Sequence, residues 1–191
     1  AVNADAAQYG TPDAFYAHTQ RYLYHLTAYY LEQWKQPAYA WVHLLGNLRT
    51  LRILDYGCGI GCDGVAFLEA GYKVSFADVP GESLSYLRWR LQHRMYLAAP
   101  VYVLPTEIPS HDVVWCMDTL EHLPPAEQRS FLDLLASLGK LVILNLVDDR
   151  QADGVVHHPV DIEALSAYLS ERYSLLYGDW YPTTGGGGTR F

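Results

Sequence analysis

Positive charge is in short supply in this chain: 13 Lys and Arg stand against 21 Asp and Glu, a net charge of −8. No basic run occurs anywhere along it. A sequence-independent grip on a phosphate backbone needs clustered Lys and Arg, so nucleic acid is a disfavoured partner. Cysteine is scarce too. Cys58, Cys62 and Cys116 are an odd number, and the first two fall within one short loop. That pattern excludes a disulfide framework, and reduced thiols in a cytoplasmic protein are the simplest account. A zinc site would need more Cys or His at ligand spacing near that pair. Long apolar runs are missing as well. None approaches the ~20 residues that span a bilayer. The start, Ala1-Val2-Asn3-Ala4-Asp5, lacks both a charged n-region and an apolar h-region, so no signal peptide is expected.

What is present is an ordinary globular composition: half of the 191 residues are apolar, enough for one domain with a sizeable core. Residues 13 to 36 read as an amphipathic helix, with Phe15, Tyr22, Leu26 and Tyr29 in one row and Leu23, Tyr30 and Trp34 beside it. Pro37 ends or kinks it, and residues 38 to 49 read as a second, shorter helix. From Leu51 onward strands alternate with helices. Strand-like runs cover 51–55, 72–77, 101–104, 113–116, 141–144 and 174–177, and helical stretches lie near 62–70, 82–97, 125–138 and 161–172. Such alternation predicts an α/β fold: a Rossmann-like, doubly wound, mostly parallel sheet with helices on both faces. The expected organisation is an N-terminal helical cap over 1–49 and a core over 50–191. The run Gly185–Gly188 reads as a turn, and Phe191 leaves little room for a closing strand.

The most informative stretch is Leu54-Asp55-Tyr56-Gly57-Cys58-Gly59-Ile60-Gly61, leading into a helix. Alternate glycines let a backbone turn sharply and approach a ligand where side chains would collide. The following helix presents unpaired N–H groups and a positive dipole end. Asp55 is placed to accept hydrogen bonds from the loop's own amides. Seventeen residues beyond Gly61 the second strand ends in Asp78, where a carboxylate can accept both hydroxyl protons of a ribose. Gly59, Gly61 and Gly64 also satisfy G-x-G-x-x-G, the dinucleotide fingerprint. That pattern usually follows an apolar strand directly, whereas here Asp55 precedes Gly57 and the Asp-x-Gly-x-Gly-x-Gly register fits the whole loop.

With Asp78 and the segment Asp112-Val113-Val114-Trp115-Cys116-Met117-Asp118-Thr119-Leu120-Glu121-His122-Leu123, this loop resembles class I S-adenosylmethionine-dependent methyltransferases. Within them the chain is most similar to ubiquinone-biosynthesis-type and related small-molecule enzymes, over residues 50 to 180. The resemblance implies that Gly57, Gly59 and Gly61, with Asp55 and Cys58 between and before them, line the methionine end of the cofactor. It implies that Asp78 and Val79 hold the ribose side, and that Cys116-Met117-Asp118 lies along the cofactor near the transferring methyl. The region after strand three, Leu104-Pro105-Thr106-Glu107-Ile108-Pro109, departs from the family in carrying no acid at the usual adenine contact.

Methyl transfer from a sulfonium is an in-line displacement, so alignment and exclusion of water are the main tasks. A base is needed only where the attacking atom must lose a proton. His122, His157 and His158 are the candidates, lying past the carboxyl ends of strands four and five. Asp118, Glu121, His122 and one of the paired histidines, His158 in particular, would also suit a divalent cation such as magnesium. That set resembles metal-dependent O-methyltransferases, including small-RNA 2′-O-methylating enzymes. The alternative is the family's usual turn after strand four, with Glu121 capping a helix and His122 packed under the loop.

The N-terminal segment holds seven of the sixteen tyrosines. Tyr9 and Tyr16 are the lid candidates, while Tyr22 and Tyr29 fall on the apolar row and read as core. Cys58 and Cys62 read as space-filling residues rather than nucleophiles. The leading expectation is therefore methyl transfer to a small-molecule oxygen or nitrogen acceptor. The alternatives are an NAD-dependent oxidoreductase and a non-catalytic module of the same fold. A neighbouring subunit of a homodimer would be one way to complete the final sheet edge.

Overall fold

The computed structural model describes residues 7–29, 50–148, 157–176, 178, 180–182 and 188–190. The second cap helix expected over 38–49, with Tyr30, Trp34, Pro37 and Tyr39, lies outside them.

Over the described part of the single helix expected at 13 to 36 there are two helices, α1 (Pro12–His18) and α2 (Arg21–Tyr29), and residues 30–36 lie outside the described residues. Thr19 breaks the run with extended backbone, and its buried hydroxyl accepts from the Tyr22 amide at 3.4 Å. Thr11 caps α1 by accepting from the Ala14 amide at 3.2 Å.

The core is a parallel five-stranded sheet in the order β3-β2-β1-β4-β5: β1 (Arg52–Tyr56), β2 (Lys73–Asp78), β3 (Val101–Val103), β4 (His111–Cys116) and β5 (Gly139–Leu144). Three helices cover it: α3 (Cys62–Glu69), α4 (Glu82–His93) and α5 (Pro125–Leu138). Alternation along the strands decides which face each residue serves. Ile53, Val74, Phe76, Val113 and Trp115 pack with Val65 and Phe67 of α3 and Leu84, Leu87 and Leu91 of α4. Leu54, Tyr56, Ala77, Val114 and Cys116 point the other way, toward Leu135 and Leu138 of α5. Both faces being buried explains why these strands read as continuous apolar runs. A buried tie crosses the first layer, where the Trp115 indole donates to Asp63 at 2.8 Å.

The strand order reverses between β1 and β4, and that crevice is where open α/β sheets bind ligands. A short 3₁₀ turn (Leu120–His122) follows β4 there. Beyond β5 come β6 (Leu146–Asp148), α6 (Ile162–Arg172), β7 (Trp180–Pro182) and β8 (Gly188–Arg190). Two expectations are corrected here. Residues 174–176 form no strand, and Leu175 and Leu176 stand 68% and 75% exposed. Residues after the glycine run do form a strand: β8 lies antiparallel between β6 and β7.

The N-terminal helices sit on the crevice end of the sheet. Phe15, 1% exposed, anchors a satellite cluster with Tyr9, Tyr16 and Tyr22. α1 rests against the turn before α4 so closely that a Cβ on Gly81 would lie 2.6 Å from the Tyr16 carbonyl oxygen.

Candidate functional site

The glycine loop turns as its composition demands: Gly57, Gly59 and Gly61 all hold positive φ, at 70°, 52° and 69°. Their missing side chains serve three different neighbours. A Cβ on Gly57 would fall 2.2 Å from Thr119 Oγ1 across the crevice, and one on Gly61 would fall 2.4 Å from Leu87 of α4. Gly59 alone turns its open side toward the cap, where Leu26 of α2 lies 3.4 Å away. At Gly57 and Gly61 the missing Cβ also makes room for Thr119 and Leu87.

Asp55 is buried beneath the loop and accepts from the Gly64 amide at 2.9 Å, which pins the first turn of α3. Arg90, absent from the sequence reading, reaches from α4 to the loop's outer side, donating to the Ile60 carbonyl at 2.6 Å and to Cys62 Sγ at 3.4 Å. Burial pushes the Cys58 and Cys116 thiols well up, so neither carries a thiolate near neutrality, which suits Cys58 as a space-filling residue.

Asp78 ends β2 directly beneath Gly59. One carboxylate oxygen accepts from the Gly59 amide at 2.5 Å and the other from the Val79 amide at 2.7 Å. Desolvation raises its pKa to about 6, against the downward pull of those two N–H donors.

At the far side of the crevice, Asp118 follows β4 in left-handed backbone, φ 52°. Thr119 donates to the Met117 carbonyl at 3.0 Å, and the 3₁₀ turn then delivers Glu121, 4% exposed, and His122. The Tyr16 phenol of α1 meets His122 Nδ1 at 2.5 Å. The His157 ring packs edge-on to His122, with centroids 4.8 Å apart, while the His158 backbone amide donates to the Glu121 carbonyl at 2.6 Å. Of the two lid candidates, Tyr16 therefore reaches the site, and Tyr9 supports it by packing on Phe15 at 5.9 Å.

Tyr22 packs on Phe15 and Tyr16 as its place on the apolar row implies, and burial, then the Tyr16 phenol and the charges of Glu121, Asp118 and Asp78, drives its phenol pKa well up. The Tyr29 side chain lies outside the described residues. The cation site expected from Asp118, Glu121, His122 and His158 is not assembled. Among the described residues no three His, Cys, Asp or Glu converge as ligands, because Asn145 engages Asp118, Tyr16 engages His122, and His158 enters through its backbone.

Residues 53–140 match the family described as "Methyltransferase domain". The ubiquinone biosynthesis O-methyltransferase of Bordetella avium is 39% identical over 90 residues, covering 44% of this chain and 37% of that protein. The magnesium-protoporphyrin O-methyltransferase of Synechocystis sp. is 30% identical over 103 residues, 52% of this chain and 45% of the relative. Human glycine N-methyltransferase is 29% identical over 140 residues, 61% and 47% of the two chains. This chain spans less than half the length of these curated relatives. In fold it superposes on the crystal structure of the Synechocystis magnesium protoporphyrin IX methyltransferase with bound SAH, at TM-score 0.70, 22% identity and coverage of 83% of this chain and 80% of that one. Residues 53–140 are thus similar to a methyltransferase domain, and the chain shares the fold of a methyltransferase solved with SAH bound.

Proposed function

We propose that this protein transfers a methyl group from S-adenosylmethionine to a small-molecule acceptor, at oxygen or nitrogen. The observation that carries this reading is the pairing of the positive-φ loop with Asp78, a desolvated carboxylate held under the Gly59 amide at the switch point of the sheet. The residues fit the cofactor. Asp78 would accept its ribose hydroxyls with Val79 alongside, Gly59 and Cys58 would offer backbone to its amino-acid tail, and Met117 and Asp118 would border the methyl. S-adenosylmethionine supplies an activated methyl on sulfur, which is displaced in line without need of an oxidant. Relatives named as O- and N-methyltransferases support an oxygen or nitrogen acceptor over carbon.

The chain's own contribution is orientation and proton removal. α1 and α2 roof the crevice, with Leu26 over Gly59 and the aromatic cluster of Phe15, Tyr16 and Tyr22 excluding water. A hydroxyl acceptor beside Tyr16 passes its proton to the phenol oxygen as the phenol's own proton moves to Nδ1 of His122, and His157 packs the imidazole in place. Isothermal titration of the protein with S-adenosylhomocysteine and with NADH tests the cofactor assignment. Binding of the first and not the second is expected, and the reverse would overturn it.

A further inference from the structure

Asn145 follows the last residue of β5 and is 2% exposed. Nothing in its sequence neighbourhood marks it, since an asparagine between two apolar strands resembles any turn residue. The structure closes it onto Asp118 in both directions. Its Oδ1 accepts from the Asp118 backbone amide at 2.8 Å, and its Nδ2 donates to Asp118 Oδ1 at 2.7 Å. Asp118 is one of only two non-glycine residues with positive φ among those described, a conformation that costs about 1 kcal/mol or more for an L-residue. It stands where β4 turns into the segment that bears Met117, Glu121 and His122.

We infer that Asn145 is a positioning residue for methyl transfer: its amide clamps Asp118 in left-handed backbone and so sets the path of residues 117–122 past the cofactor and the base. The inference rests on the function proposed above. Asparagine is the residue the geometry requires, because the contact needs one acceptor and one donor on a short planar group. Aspartate would oppose a carboxylate to a carboxylate, and alanine would leave the half-buried Asp118 amide without this acceptor. Tyr22 of α2 and Cys116 of β4 also sense the Asp118 charge, and neither is a cation.

The test compares Asn145→Ala with the isosteric Asn145→Asp in the full chain. In Asn145→Asp, two carboxylates at hydrogen-bond distance share one proton as pH falls, restoring a donor toward Asp118. S-adenosylhomocysteine affinity and kcat of this variant are expected to fall about tenfold near pH 8 and to recover most of the loss near pH 6. Asn145→Ala should lose a similar factor at both pH values. In hydrogen exchange the Asp118 amide should lose protection in Asn145→Ala without ligand present. Wild-type affinity for Asn145→Asp at pH 8, identical pH profiles for the two variants, or unchanged Asp118 exchange would each overturn the inference. Failure of the wild-type protein to bind S-adenosylhomocysteine would sink the proposed function instead, leaving the exchange measurement to judge the clamp by itself.

Discussion

Lowering the pH should release the cofactor, and Asp78 sets where. Its carboxylate must be ionised to accept two ribose hydroxyls, and burial raises its pKa to about 6. At about pH 7.5 nearly every molecule carries the charge, whereas one pH unit below the pKa only about one in ten does. S-adenosylhomocysteine should therefore bind about tenfold more weakly near pH 5 than near pH 7.5, a difference of about 1.4 kcal/mol. A carboxylate at the ordinary value of about 3.9 would lose almost nothing over that range. Tyr22, Tyr56 and Cys58, which sense the same carboxylate, are all pushed upward and stay neutral throughout, so they add no slope of their own. Calorimetric titration at both pH values, repeated on Asp78→Asn, separates this effect from global changes. The variant should bind weakly and without the tilt. An unchanged wild-type affinity at pH 5, or an Asp78→Asn profile as steep as the wild type's, would refute the argument.

Tyr16→Phe removes the phenolic proton path to His122 but leaves the ring packing, so kcat should fall about a hundredfold for a hydroxyl acceptor while S-adenosylhomocysteine affinity holds. The double variant with His122→Ala should cost little more than the worse single one, which steady-state kinetics would show. Gly57→Ala combines a positive φ of 70° with a Cβ 2.2 Å from Thr119 Oγ1, and thermal unfolding should show a loss of about 1–3 kcal/mol. Burial holds the His111 imidazole, 3% exposed and bonded to Ser75 at 3.0 Å, below its ordinary pKa. The unfolded chain then binds the proton first, so this group withdraws stability as pH falls below about 6.5. Asp78 acts in the opposite sense, its raised pKa relieving a burden as pH falls through about 6. Denaturant melts of His111→Gln against wild type should isolate the histidine's share, and parallel profiles would contradict it.

The sheet and the loop were legible because their signals are local. Apolar runs with glycine punctuation reveal buried parallel strands, and Gly57-Cys58-Gly59-Ile60-Gly61 needs its positive φ whatever lies around it. Asp78 could be placed because a strand end fixes a side chain at the crevice rim. The direction each glycine faces was not legible, since Thr119 and Leu87 reach Gly57 and Gly61 from distant elements. The same limit hid Arg90 and Asn145, whose partners Ile60 and Asp118 lie 30 and 27 positions away. The row did show that Tyr22 is covered, but not that carboxyl charges lie near enough to raise its phenol. The helix break at Thr19 was missed because the apolar period runs straight through it: Phe15 and Tyr22 still meet, at 5.5 Å, across the corner.

The contact at Gly81 gives the cap a foundation that belongs to the core. α1 lies main chain to main chain on that residue, and Tyr16 projects from the seat toward His122. A single methyl group added there would act as a wedge, tilting the helix off its bed and drawing the phenol out of reach of its imidazole. The spacing between proton donor and acceptor is governed from underneath, by a position that touches neither ring.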